Sequence, residues 1–291
     1  MERAVARSKA KRKTKKMLSI WFLLAFAVII FAVFQILNPL EANAPSGEET
    51  NAVATELKSK VSESSKQDLS DKIAEASILM YHHIGPLPNE NDKIRYGLTV
   101  SEEDFDSQLK YLKENNFNVL TLGELESGIA KNTLLKRVVV LTFDDGYDDN
   151  FTFAKPILEK YGFRGTFFII SNKIGQAEYM NEEQIKELSQ NNEIGSHSYS
   201  HPSMVRLSDF YLEREMKTSK KDLQALIGKT VTSFCYPAGK YNDKAVSKLQ
   251  EYDYKIAVTT EASTGSFDIS QKLLVPRYRI APAISLETLI R

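Results

Sequence analysis

The sequence predicts an α/β protein, an irregular (β/α) barrel of about seven parallel strands, preceded by one transmembrane helix. Three observations predict it. From Ala76 onward, short apolar runs alternate with stretches of helical periodicity, which is the pattern of a parallel sheet. Seven or eight such units fit into about 215 residues, and no Gly-x-Gly-x-x-Gly follows the first apolar run, so a closed barrel is favoured over an open dinucleotide-binding sheet. Residues 17–37 (MLSIWFLLAFAVIIFAVFQIL) pass without a charge, with only Ser19 and Gln35 polar.

At about 1.5 Å per residue a helix over residues 17–37 spans the hydrocarbon core of a bilayer. Eight of the 38 basic residues and one of the 38 acidic residues lie in residues 1–16. That basic tail places the N-terminus in the cytoplasm and the rest of the chain outside, as a single-pass cell-membrane protein. A signal peptide is the competing reading. Ala42-Asn43-Ala44 fits its cleavage site, and cleavage after Ala44 would make the protein secreted. The apolar run is longer than a signal core, which favours a retained anchor. Residues 38–75 are polar and read as a linker, with a weak helix conceivable within 52–76, and the catalytic domain is expected over 76–291.

The body justifies the barrel element by element. Residues 78–81 read as a buried strand, and Ser101 caps a helix in which Phe105, Leu109 and Leu112 recur at helical spacing. A short strand at 119–120 and a short helix over 122–129 follow. The most apolar strand is 137–142 (RVVVLT). A helix over 150–161 exits at Gly162, and 165–170 (GTFFII) is the next strand. Asn181 caps a helix to about 191, 193–196 is a short strand, and Ser208 caps a long helix ending at Gly228. Strands at 233–236, 256–258 and 273–275 complete the set, with a helix from about Asn242 between the first two.

Composition excludes several classes. Hydrophobic residues at 42% and charged residues at 26% are those of a globular chain, not a disordered one. The 275 residues after the tail carry 30 basic and 37 acidic groups, a net of −7, which argues against nucleic acid as partner. A lone cysteine, Cys235, forms no internal disulfide and reads as a small buried residue.

The four histidines fall in two pairs, His82-His83 and His197/His201, each pair after a predicted strand, and Asp144-Asp145 follows the most apolar strand. In such barrels the site sits at the C-terminal strand ends. His197 and His201 are four residues apart and share a face if they sit on a helical turn; two imidazoles with one carboxylate make a common divalent-metal site. Two carboxylates buried at a strand end are costly without a partner, and a metal ion supplies one. His82 and His83 are either packed rim residues or a general acid or base. Tyr147, Tyr199 and Tyr241 fall in the same loops, where they can stack on sugar.

These segments resemble the polysaccharide deacetylases of the NodB-homology type, carbohydrate esterase family 4. Residues 142–147 (TFDDGY), 197–201 (HSYSH) and 234–239 (FCYPAG, continuing into Lys240-Tyr241-Asn242) resemble the family's first three motifs, in order and at its spacing. The likeness covers about residues 76–284. It implies an irregular (β/α) barrel. It also implies that Asp145, His197 and His201 bind Zn²⁺ or another divalent metal such as Co²⁺, Ni²⁺ or Mn²⁺. By the same likeness Asp144 is the general base and the backbone N–H of Ala238, after Pro237, helps bind the oxyanion.

Two departures stand out. Cys235 occupies the place of the arginine that usually touches the base, and no histidine follows His201 to act as the late general acid. The start, residues 79–83 (LMYHH), instead resembles the branch that deacetylates poly-N-acetylglucosamine, which makes His82 the candidate acid and His83 the second. Arg277 or Arg279 is expected to replace the missing arginine, and Tyr147, Tyr199, Pro237 and Tyr241 are expected to touch substrate. The implied function is a metal-dependent N-deacetylase of a cell-surface N-acetylhexosamine polymer, peptidoglycan or a poly-N-acetylglucosamine-type exopolysaccharide. The alternatives are an O-acetyl esterase on a xylan-like polymer and an inactive carbohydrate-binding protein.

Overall fold

The computed structural model describes residues 73–263 and 265–290. The basic tail, the expected membrane span at 17–37 and nearly all of the expected linker lie outside the described residues. Among the described residues no helix is long and apolar enough to cross a membrane.

Seven parallel strands close on themselves. They are β1 (Ile73–Tyr81), β5 (Val138–Phe143), β6 (Thr166–Ile169), β7 (Glu193–Ser196), β8 (Ser233–Cys235), β9 (Ile256–Ala262) and β11 (Val275–Arg279). Each pairs with the next around the ring, β11 pairs β1, and β1 pairs β5 from Ala76↔Val138 to Tyr81↔Phe143, which closes the barrel. Two short strands flank it: β4 (Asn118–Leu120) runs beside the first half of β5, and β10 (Ser266–Asp268) pairs antiparallel with the start of β1. The strands β2 (His83–Ile84) and β3 (Thr99–Val100) form a small separate pair.

The helical faces explain the layers. Ser101 caps α2 (Glu102–Glu114), which follows α1 (Lys93–Leu98) and buries Phe105, Leu109 and Leu112 against the outer barrel face. Thr121 forms a capping box with Glu124 at the start of α3 (Leu122–Ala130). Its Leu122 and Leu125 pack with Ile78, Val138, Val140, Phe168, Ile256 and Val258 in the barrel interior. Leu79, Tyr81, Leu141, Phe143 and Phe167, which alternate with the interior residues, face the outer layer of helices. That layer includes α4 (Lys155–Tyr161), α5 (Glu182–Leu188), α6 (Asp209–Glu213), α7 (Ser219–Ile227) and α8 (Asp243–Glu251).

Several sequence expectations change. Residues 73–75, read as linker, are strand, because β10 offers them an antiparallel edge and Ala74 is buried there. The last barrel strand begins at Val275 rather than 273 and runs to Arg279. The helix after Ser208 is broken by a π turn over Arg214–Thr218, and the Ser208 side chain makes no capping hydrogen bond. The helix after Asp149 likewise opens with a π turn, Asn150–Ala154. Such wide turns insert one residue and re-aim the side chains beside it.

Candidate active site

The C-terminal strand ends carry the expected cluster. β5 ends at Phe143, so Asp144 and Asp145 emerge at the rim; Asp145 and Gly146 both take positive φ, 73° and 83°. Gly146 suits that bend, because a Cβ there would lie 3.0 Å from the Ile169 side chain. Asp144 is 2% exposed and turns inward.

Arg277 meets it there. Its Nη1 and Nη2 donate to the two carboxylate oxygens of Asp144 at 2.8 and 2.7 Å, a two-pronged pair in which the arginine is 1% exposed. Nη1 also donates to Thr142 Oγ1 (2.9 Å), Nε to the Thr259 carbonyl (2.8 Å), and Nη2 lies 3.2 Å from Cys235 Sγ. The register explains the Thr259 contact. Val275 pairs Val258 but Arg277 pairs Ala262, so β9 bulges between them, beside Arg277. Arg279, the other expected arginine, is exposed. A cysteine at 235 is small enough to leave room for the guanidinium that arrives from β11. Burial pushes the Asp144 carboxyl up, but the Arg277 charge and hydrogen bonds outweigh it and hold the carboxyl well below the usual range.

The two early histidines part company. His82 Nε2 stands 4.0 Å from Asp144 Oδ2. Burial lowers its pKa, and the charges of Asp144 and Asp145 pull only part of the way back. His83 turns away. Its Nδ1 lies 2.6 Å from Asp149 Oδ2, and its ring stacks on Tyr147 at 3.7 Å between centroids. Asn150 Nδ2 ties the two together by donating to the His82 carbonyl and to Asp149 Oδ1, both at 2.8 Å.

Asp145, His197 and His201 form the second half. His197 Nε2 and His201 Nε2 lie 3.4 and 3.5 Å from Asp145 Oδ1. Those separations are long for hydrogen bonds. They match the edge of a tetrahedron whose corners lie about 2.1 Å from a central ion, about 3.4 Å. His197 Nδ1 sits 2.8 Å from the Cys235 carbonyl, to which it donates, leaving Nε2 with its lone pair toward Asp145. The three residues therefore fit a divalent cation.

The expected helical turn at 197–201 is a loop instead. Ser198 and His201 both have positive φ (68° and 62°). It is held by a residue the sequence reading did not single out. Glu215, 1% exposed on the second π turn, accepts from Ser200 N (2.7 Å) and Ser200 Oγ (2.8 Å), and its carbonyl accepts from Tyr199 N. Asp149 and Tyr179 were likewise not singled out. Their sequence distance from His83 and Tyr147 gives no periodic signal.

Of the expected substrate contacts, Tyr147 packs between His83 and Tyr179, so its ring is already engaged. Tyr199 lies under the Arg214 guanidinium, and the Tyr241 hydroxyl donates to Glu261 at 2.9 Å. Pro237 is buried, and Ala238 is exposed in a left-handed conformation, φ 51°. Gly239 N and Lys240 N are spent on the Tyr236 and Pro237 carbonyls.

Comparison with known proteins places this arrangement. The polysaccharide deacetylase family model matches residues 131–257. A Bacillus subtilis protein, YxkH, named as a polysaccharide deacetylase, is 32% identical over 253 residues, 84% of this chain and 88% of its own. The chain belongs to the polysaccharide deacetylase family. It is thus a hydrolase, and the three motifs and the barrel are those of carbohydrate esterase family 4. The Streptococcus pyogenes deacetylase PplD, solved with acetate, superposes with a TM-score of 0.70 at 31% identity, over 75% of this chain and 97% of that one. The Staphylococcus aureus poly-β-1,6-N-acetyl-D-glucosamine N-deacetylase is 28% identical over 178 residues, 56% of this chain and 61% of that protein. His82 and Arg277 both lie outside the span of the deacetylase model, so the pairing at Asp144 comes from the structure of this chain.

Proposed function

We propose that this deacetylase removes N-acetyl groups from an N-acetylhexosamine polymer of the poly-N-acetylglucosamine type, and that it depends on a divalent metal ion. The observation that carries this is Asp144, held ionised by Arg277 with His82 4.0 Å away, beside the Asp145, His197 and His201 cluster. A divalent ion, Zn²⁺ by the two-imidazole, one-carboxylate donor set, would be held by Asp145, His197 and His201 and supply Lewis-acid polarisation of the amide and acidification of water. The residues of the chain do the rest. Asp144 accepts the proton of the attacking water. The Ala238 N–H donates to the developing oxyanion. His82 Nε2 delivers a proton to the departing amine, and acetate and a glucosamine unit leave.

Acetate release from β-1,6-linked N-acetylglucosamine oligomers tests the reading. Turnover should vanish with a chelator and return with Zn²⁺. Release from acetylated xylan in its place would assign an O-acetyl esterase, and release from peptidoglycan glycan strands alone would move the substrate there.

The acid role has its own test. His82→Ala should lower kcat about 10²-fold, keep metal content, and abolish the fall in activity as pH rises through the pKa of the acid. His83→Ala should be milder, because His83 is committed to Asp149 and Tyr147. Equal losses in both variants would count against His82.

We further propose that residues 17–37 anchor the enzyme outside the membrane, near such a polymer. Carbonate-resistant membrane fractionation, lost on deletion of 1–37, tests that.

A further inference from the structure

A row of π faces leads away from the His201 loop. Tyr199 sits between His197 and His201. The Arg214 guanidinium carbon lies 5.6 Å over the Tyr199 ring and 5.3 Å over the Tyr211 ring, and Phe210 meets Tyr211 edge-on at 5.4 Å. The row is braced. Arg214 Nη2 donates to Glu215 Oε1 at 3.0 Å, and buried Glu215 also holds Ser200 in the same loop. Its outer end is open: Phe210 is 72% and Tyr211 47% exposed, with Val205 beside them in sequence at 38%. The other large exposed hydrophobics among the described residues, Leu87, Ile94 and Leu135, belong to other segments. Because the loop after β7 and the start of the next helix stand at the C-terminal strand ends, the row shares the face that carries Asp144 and Asp145.

We propose that Tyr199, Arg214, Tyr211 and Phe210 form a strip that binds the sugar units flanking the reacting one, so that the enzyme prefers long chains. This rests on the polysaccharide reading above. A polymer entering the site must lie across the rim beyond it, and the strip is continuous with the metal-ligand loop. Its chemistry suits a pyranose chain. Ring faces receive the apolar C–H faces of sugars, and a guanidinium fixed between two rings presents N–H donors to hydroxyls at little entropic cost. A purely apolar docking face would not carry an arginine at its centre.

The test uses the full chain, stripped of metal with a chelator so that no turnover occurs, and titrates β-1,6-linked N-acetylglucosamine di- and hexasaccharides by calorimetry. The hexasaccharide should bind more tightly. Phe210→Ala with Tyr211→Ala should weaken it about tenfold, 1.4 kcal/mol, and bring its affinity close to that of the disaccharide. Leu135→Ala, an exposed hydrophobic elsewhere, should change neither. Both substituted side chains are exposed, so the variant should melt at the temperature of the parent. A hexasaccharide preference that survives the double substitution, or equal affinities in the parent chain, overturns the strip. Loss of binding to anionic lipid vesicles with unchanged oligosaccharide binding overturns it in favour of a membrane contact. Failure of both sugars to bind overturns strip and substrate reading together. Length-dependent binding with no acetate released by the metal-loaded chain leaves the strip and overturns only the substrate reading.

Discussion

His201→Ala is expected to weaken divalent-metal binding by more than about 100-fold, since even loss of an outer-shell partner of a ligand commonly costs 10–100-fold. Deacetylation should fall with it. Of the three candidate ligands His201 gives the cleanest test, because its side chain is 36% exposed while His197 is buried against the Cys235 carbonyl. Removing His197 would cost metal and core packing at once. The readout need not be turnover. A ligand at 100 times its dissociation constant stabilises a fold by about 2.7 kcal/mol, so Zn²⁺ should raise the melting temperature of the parent chain and leave that of His201→Ala unmoved. Metal analysis after dialysis should agree. A His201→Ala chain that keeps full metal content and the thermal shift would remove the imidazole from the ligand set.

What the sequence made legible divides along physical lines. Strand–helix alternation, Ser101 and Asn242 caps and the left-handed exits at Gly162 and Gly228 were readable because each is a local signal. The seven-stranded closure followed from the number of units in the length. The Asp144-Asp145 and His197/His201 clusters were readable because their residues lie close in sequence at strand ends. The contacts that arm them were not. Arg277 and Arg279 are two apart on one strand and share a face by alternation, so no pattern separates them. Depth does: Arg277 sits two residues deeper on the strand and its guanidinium reaches Thr142 and Asp144 inside the barrel, while Arg279, paired with Met80 nearer the strand end, is exposed. The HSYSH spacing suits a helical turn, yet Ser198 and His201 are left-handed, and neither is a glycine that would have marked it. Glu215 and Asp149 touch the site across 15 and 66 residues, and only the fold brings them there.

Arg277→Met is expected to move the acidic limb of the kcat/KM profile to higher pH, and Asp144→Asn to lower turnover about 10²–10⁴-fold at every pH with metal still bound. The sign follows from the groups around Asp144. As a base it works only when ionised, so activity falls as pH drops through its pKa. Burial raises that pKa, and the charge and paired hydrogen bonds of Arg277 more than reverse it. With methionine at 277 the largest opposition to burial is gone, and the carboxyl gains its proton at higher pH. The rate should recover toward the parent plateau once the pH exceeds the new pKa. Stability obeys the same linkage. Breaking a buried pair of this kind costs about 3–5 kcal/mol. The contribution of Asp144 is present above the unfolded carboxylate value of 3.8 and is lost as pH falls through the lower folded one. The melting temperatures of parent and Arg277→Met should therefore differ most near neutral pH and draw together in strong acid. A plain scaffold role for Arg277 would instead lower the plateau equally at all pH values, and parallel profiles with unshifted limbs would refute its charge as the setting of the base.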